Sequence, residues 1–484
     1  MSKPATLHRF VPARLRLGLL AGAALLAAGC AVGPDYQPPP AGQLPAGFVA
    51  AGAGQPGTGG QELGRFWQGF SDPVLDGLVD TALAANTDVR IAQARLQEAR
   101  ALLLGARAEL LPAFGIDAGA GRGVTPLPQR PGTSRSERTG NAFDAGVVMN
   151  WELDLFGGAR RAGESAAAQV AASEAGVGAA QVAVLAEVVR NYVLLRGLQQ
   201  RHAVADSSLE NQRQALRLTE LRQDAGRGTQ LDVARARSLV ASTEAALPAL
   251  QAQIEQATFR IARLTGLAPA QAVQRLSAAA ALPTLPVTDL GALPAGTPEA
   301  LLRRRPDIVQ AERQLAAASA DIGVATADLF PRISLSGLLG FNNSRVSNLT
   351  DSNARVYSAG AGIAWTFLDF GRIRSRISAS EARNEGALAT YEQTVLLALE
   401  ETETAFSRFN RTAQQGDRLE VAARSAEEAA RLSRIRFEAG ATDFLAVLDA
   451  ERELLSVRDQ LAQARSGTAT ALVDVYRALG GGWR

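Results

Sequence analysis

Four short stretches of the chain alternate apolar and polar positions with a period of two. In 332–342, Ile333, Leu335, Leu339 and Phe341 alternate with Arg332, Ser334 and Ser336; in 356–366, Tyr357, Ala359, Ala361, Ile363 and Trp365 alternate with Ser358, Gly360, Gly362 and Ala364. A weaker version runs through 113–122, where Phe114, Ile116 and Ala118 oppose Gly115, Asp117 and Gly119. It recurs in 142–151, where Phe143, Ala145, Val147, Met149 and Trp151 oppose Asp144, Gly146 and Asn150. This pattern predicts strands with one oily face. Each is about nine residues long, enough for a tilted strand to cross a bilayer. A soluble hairpin with one face on a core produces the same alternation.

The texture changes after each pair of strands. No proline occurs between Gly157 and Pro248, nor from Arg372 to the end, and Ala, Leu, Gln, Glu and Arg dominate both stretches. Such composition predicts very long helices. Gly226 and Gly440 interrupt them, each followed within three residues by a candidate N-cap, Thr229 or Asp443, so each stretch reads as two helices joined by a tight turn. From Gly158 to Asp224 there are 67 residues, about 100 Å of helix at 1.5 Å per residue. A rod of that length must pack lengthwise against others. Gly163, Gly176, Gly178 and Gly197 argue against perfect continuity.

The chain is written twice. MNWELDLFGGARR at 149–161 matches IAWTFLDFGRIRS at 363–375, and RLTELRQDAGRGTQLDVARAR at 217–237 matches RLSRIRFEAGATDFLAVLDAE at 431–451, both at an offset of 214. AELLPAFGIDAGAG at 108–121 matches ADLFPRISLSGLLG at 327–340 at an offset of 219, and the difference falls in the loops 123–140 and 343–355. The organisation is therefore a first repeat over 72–266 and a second over 297–484. A linker over 267–296, punctuated by Pro269, Pro283, Pro286 and Pro294, joins them, and an extended segment over 30–71 leads in.

If the oily strand faces meet lipid, every backbone group must be paired and the sheet must close; four strands are too few, so the chain must oligomerise. Trp151, Phe156, Trp365 and Phe370 then fall at a membrane-interface girdle, and Gly157 and Gly371 let each strand bend into its helix. Arg160, Arg161, Arg372 and Arg374 follow the girdle, placed for lipid phosphates or simply for solvent. The loops 123–140 and 343–355 face outside, and their composition alone names no ligand.

Residues 1–29 carry Lys3, Arg9, Arg14 and Arg16 without an acid, then an apolar run from Leu17 to Ala28, the layout of a secretory signal. Removing them leaves 46 basic residues against 48 acids, so a net charge of +2 becomes −2 and a nucleic-acid partner has little support. The signal ends in LLAAGC, whose Cys30 is the only cysteine. After it the chain has one histidine, His202, and no lysine. That excludes a phosphate-binding GK[ST] loop, a Schiff-base lysine and a multi-histidine zinc site; His202, after QQR in a polar helical segment, reads as a surface histidine rather than a triad member, and carboxylate-only catalysis is possible in principle.

LLAAGC resembles a bacterial lipobox, which implies lipidation of Cys30; Ala31, not Asp, follows it, which implies delivery to the outer membrane. LLRRRPDIVQAERQLAAASADIGVATADLFPRISLSG at 301–337, WTFLDFGRIRSRI, FEAGATDFLAVLDAERELL and DPVLDGLVDTALAANTDVRIAQAR at 72–95 resemble the TolC/OprM outer-membrane efflux channels, in their lipoprotein, NodT-like branch. The resemblance covers nearly all of the mature chain. It implies a mixed fold, a membrane β-barrel continued by a long α-helical barrel: two tandem repeats, four strands per protomer, twelve strands in a homotrimer. It also implies a periplasmic gate at Leu445 and Asp449, helix tips around Gly226 and Gly440 that dock a periplasmic adaptor, an inner-membrane transporter behind the adaptor, and no cofactor. Some members carry a second gate acid three residues before the first; here that position is Ala446. A duct for secreted proteins, a non-pore helical scaffold and a carboxylate enzyme are the competing functions.

Overall fold

The computed structural model describes residues 31–40, 45, 47–50, 63–288, 290 and 297–482. Cys30 and the signal segment 1–29 lie outside the described residues, as do parts of the lead-in segment and of the linker. In chain order the elements are α1 (Pro73–Ala85), α2 (Thr87–Ala108), β1 (Ala113–Val124), β2 (Thr139–Leu153), α3 (Gly158–Asp224), α4 (Gln230–Thr265) and α5 (Pro269–Leu276). Then come α6 (Pro298–Arg304), α7 (Pro306–Ala327), β3 (Arg332–Asn343), β4 (Arg355–Ala364), α8 (Phe370–Glu438) and α9 (Phe444–Ala478). The duplication survives element by element: α2 and α7 are both 22 residues long, α3 and α8 are 67 and 69, and α4 and α9 are 36 and 35.

Two compact units form. Of the described residues, one gathers those up to Pro38 with Gln97–Ala172 and Ala311–Thr390; the other gathers those within Pro39–Leu96, Ser173–Gln310 and Tyr391–Arg484. The first holds a single antiparallel sheet in the order β1-β2-β3-β4. The strands are longer than the alternation alone suggested, because turn-flanking polar residues also join the ladder. Ala113–Val124 outruns 113–122, and Thr139–Leu153 outruns 142–151. At the other edge β4 stops at Ala364, so Trp365 lies one residue past the strand and the expected bounds 356–366 are corrected. The two repeats meet where β2 pairs with β3, with Gly146 opposite Gly340. A Cβ at Gly340 would lie 2.5 Å from the Ala145 carbonyl oxygen and 2.6 Å from the Gly146 Cα, so the close approach at this seam depends on the missing side chains.

The second unit is built on long helices. Despite its four interior glycines after Gly158, α3 is continuous, and Gly197 has a packing reason to be there. A Cβ on it would meet the Ser466 Cβ at 2.5 Å, so glycine lets α3 and α9 approach closely. Likewise α4 runs through Pro248 and ends at Gly266, which takes the left-handed conformation (φ 70°) and caps it. The core is aromatic: Phe66 stacks on Tyr476 with centroids 4.5 Å apart, and Tyr192, Phe70, Phe406 and Phe409 are fully buried. The linker is pinned to α3, since Gln199 donates to the Leu276 carbonyl (2.9 Å) and Arg196 to that of Ala278 (2.8 Å).

The β2–β3 seam supplies a test. Gly340→Val should abolish folded, heat-dissociable oligomer on gels, because backbone cannot retreat from the added carbons. Gly360→Ala, whose Cβ meets only the Ser336 hydroxyl at 3.4 Å, should leave the oligomer intact.

Candidate functional site

Register assigns each strand residue to a face, since residues directly opposite share one. Ile116 opposes Val147, Val147 opposes Leu339, and Leu339 opposes Tyr357. One face therefore carries Phe114 and Ile116 of β1, Val147 and Met149 of β2, Leu335 and Leu339 of β3, and Tyr357 and Ile363 of β4. The other carries Asp117, Asp144, Asn150, Ser334, Ser336 and Ser358. The oily face is uncovered: Ile116 and Tyr357 are each 86% exposed, Ile363 73% and Leu339 70%. From Ile333 to Phe341 it runs about 27 Å at roughly 3.4 Å per residue. Upright, with the usual 35–45° tilt, that is about 20 Å, close to the apolar band of outer-membrane barrels. A soluble hairpin would bury this face; here nothing among the described residues covers it.

At the helix end of the sheet the repeat equivalence is chemical as well as sequential. Trp151 donates its indole N–H to the Leu110 carbonyl, and Trp365 donates to that of Leu329, both at 3.0 Å. Phe156 is half-buried and stacks on Phe330 at 4.6 Å, whereas Trp365 and Phe370 are 52% and 42% exposed. The expectation that both glycines form bends needs correction. Gly157 takes φ +81° ahead of α3, but Gly371 lies inside α8 with no positive φ, the turn there being made by the residues before Phe370.

The difference has a cause that the repeat comparison could not reveal. A Cβ on Gly157 would lie 2.6 Å from the Cα of Ala31, because the segment 31–36 lies across this junction as a strap. The Val32 amide donates to the Phe156 carbonyl (3.1 Å), and Gly33, at φ +91°, sits against Gly323, where a Cβ would approach to 2.4 Å. Arg161, expected to face lipid phosphates or solvent, is instead 5% exposed. Its guanidinium donates to the carbonyls of Val32 (3.2 Å) and Gly33 (3.4 Å) and to the carboxylates of Asp35 (2.6 Å) and Glu164 (2.7 Å). Tyr36 finishes the strap by donating to the Glu312 carboxylate. Arg160 and Arg372 are likewise occupied, by Asp154 and Asp369.

The remaining candidates lie in the second unit. Gly226 (φ 72°) and Gly440 (φ 75°) end α3 and α8 in the same way. Gly226 and Arg227 donate to the carbonyls of Gln223 and Arg222, while Gly440 and Ala441 donate to those of Phe437 and Arg436, the paired bonds that close a helix on a left-handed residue. Thr229 caps α4 through a reciprocal box with Asp232, and Asp443 caps α9 by accepting from the Ala446 amide. Phe444, Val447 and Leu448 of α9 pack on Ala236 and Leu239 of α4, and Arg222 spans the two hairpins by donating to the Phe437 carbonyl (3.0 Å) and lying over its ring (4.2 Å). Leu445 and Asp449 share the opposite, exposed face of α9. On the buried face, one turn past Val447 and Leu448, Glu451 pairs with Arg434 at 3.1 Å, and its burial holds the carboxyl above the ordinary glutamate range. Among the described residues no cluster of side chains able to hold a metal forms.

Two outcomes follow from this geometry. Arg161→Ala removes charge-assisted bonds worth about 1.5–3 kcal/mol, so hydrogen exchange at the Val32 amide should accelerate by roughly ten- to a hundredfold; unchanged protection would mean the strap is held elsewhere. Because folding raises the Glu451 pKa, the folded hairpin binds the proton more tightly than the unfolded chain does. That contribution is present at low pH and lost as pH rises through the folded value. Exchange protection around α9 residues 444–454 should therefore fall between acid and neutral pH, and Glu451→Gln should flatten the dependence.

Known proteins resemble the chain over most of its length. The family model described as outer membrane efflux protein matches residues 78–267 and again 297–481. The chain is 35% identical over 442 residues to the pyoverdine export outer membrane protein OpmQ of Pseudomonas aeruginosa, covering 90% of each chain. It is 31% identical over 460 residues to nodulation protein T of Rhizobium leguminosarum bv. trifolii, covering 95% of this chain and 96% of that one. The solved outer-membrane channel OprN superposes with a TM-score of 0.87 at 44% identity, covering 94% of this chain and 100% of that one. With an uncovered oily sheet face, paired long helices and this kinship, the chain belongs to the outer membrane efflux protein family and is an outer-membrane channel of the TolC/OprM type, the exit duct of an efflux pump.

Proposed function

We propose that three copies complete the duct: β1 of each copy pairs with β4 of the next, twelve strands enclose a polar lumen, and the helices continue as a periplasmic tunnel. The observation that carries this reading is the four-stranded sheet itself, with an uncovered oily band along one face and both edges open. In hydrocarbon each open edge leaves a row of N–H and C=O groups unpaired at several kcal/mol apiece. Cys30 is acylated. Ala31, the residue that follows it, rests on Gly157. Each buried CH₂ adds about 0.8 kcal/mol to the anchor.

The helix tips at Gly226 and Gly440 dock a periplasmic adaptor, and Leu445 and Asp449 form the resting gate. Their exposure on α9 supports this, because three copies of an exposed i, i+4 pair can line one constriction. A ring of three Asp449 carboxylates favours cations. Opening requires the adaptor or an inner-membrane transporter to bind the open tips more tightly than the closed ones. The cargo is small molecules, drugs among them; the duct performs no covalent chemistry, and energy enters at the transporter. Passage of secreted proteins is the second reading.

Purified protein in planar bilayers should show low resting conductance, and Asp449→Ala should raise it severalfold. Unchanged leakage in that variant would overturn the gate assignment; no conductance from either protein would overturn the pore.

A further inference from the structure

The two ends of the sheet treat arginine differently. At the helix end five arginines, Arg160, Arg161, Arg332, Arg372 and Arg376, each hold an acid of the same protomer, and of the arginines named at that end Arg374 alone has no such ion pair among the described residues. At the loop end, residues 122–138 and 345–355 contain Arg122, Arg130, Arg135, Arg138, Arg345 and Arg355 against only Glu137 and Asp351, in a chain whose acids outnumber its bases from Cys30 onward. All but Arg138 are exposed, and none of those five has an ion pair among the described residues. Glu137 is already engaged by the Ser134 amide and hydroxyl, both at 2.7 Å.

Register places two of these arginines on the lipid side. Arg122 pairs with Asn141 on the face that carries Ile116, and Arg355 pairs with Phe341 directly above Tyr357. They stand on the two edge strands, both at the loop end. Closure of the barrel, the reading on which this inference rests, brings β1 against the next copy's β4, so Arg122 and the partner's Arg355 flank each seam. Two exposed cations with no acid between them repel each other weakly there, at about 1 kcal/mol or less, and an anion between them turns that repulsion into attraction. Beneath them the same face offers Ala118 and Ala120 on β1 and Ala359 and Ala361 on β4, a shallow apolar trough beside the ring of Tyr357.

We propose that each seam binds a phosphorylated glycolipid of the outer leaflet, the lipid A part of lipopolysaccharide, with its phosphates held by Arg122 and the partner's Arg355 and its acyl chains on the alanine trough. Guanidinium groups grip phosphate oxygens bidentately. The loop arginines Arg130, Arg135 and Arg345 add a long-range field that salt weakens.

Native mass spectrometry of the detergent-solubilised protein, titrated with lipid A, dephosphorylated lipid A and phosphatidylglycerol, tests this. Up to three lipid A molecules per trimer are expected, with binding about tenfold weaker for the dephosphorylated form and for the double variant R122S/R355S, and near wild type for R130S/R345S. Full retention by R122S/R355S overturns the seam site. Equal binding of phosphatidylglycerol, or displacement by millimolar inorganic phosphate, overturns the glycolipid assignment. The protein mass reads closure separately: a monomer defeats the barrel, whereas a trimer without lipid A defeats only this inference.

Discussion

A backbone N–H in hydrocarbon has no water to turn to, and the rest of this molecule follows from that constraint. A sheet that is oily on one side and open at both edges is unstable in water because of its face and unstable in lipid because of its edges. Only closure removes both problems, and one chain supplies too few strands to close. The polar face then becomes a lumen, with Asp117, Asp144 and the serines of β3 and β4 lining it, and transport is a consequence of how the backbone must be satisfied.

Duplication is an economical route to such a sheet. A unit of helix, two strands and two long helices, written twice, gives four strands whose central pairing, β2 with β3, joins the repeats. The copies have since diverged where they meet different neighbours. Gly157 accepts the strap at Ala31, whereas its counterpart Gly371 is absorbed into α8 and meets nothing. Gly146 and Gly340 give up side chains so that two backbones can approach. The strap adds a second tie: Arg161, buried beneath it, holds the segment that follows Cys30 to the place where strand becomes helix.

Much of this was legible in the sequence because it is periodic. Alternation from Ile333 to Phe341 and from Tyr357 to Ile363 marks strand and face together, and a glycine followed by Thr229 or Asp443 marks a helix turn on local chemistry alone. What escaped was non-local. Arg161 looked like an interfacial cation because its partners Val32, Gly33 and Asp35 lie more than 120 residues away; only the acid at Glu164 hinted that it was paired. Gly197 looked like a weak point in a helix because its neighbour Ser466 belongs to another helix of the bundle. The burial of Glu451 was hidden among surface acids, since helix spacing shows which residues share a face but not which face is covered.

Cysteine crosslinking between the edge strands tests the central claim most directly, with one cysteine introduced on β1 and one on β4 of the same chain and the protein oxidised in its native membrane. Closure by three copies predicts a ladder of monomer, dimer and trimer that stops at trimer. A ladder that continues past three, or a chain that stays monomeric and water-soluble without detergent, would contradict it.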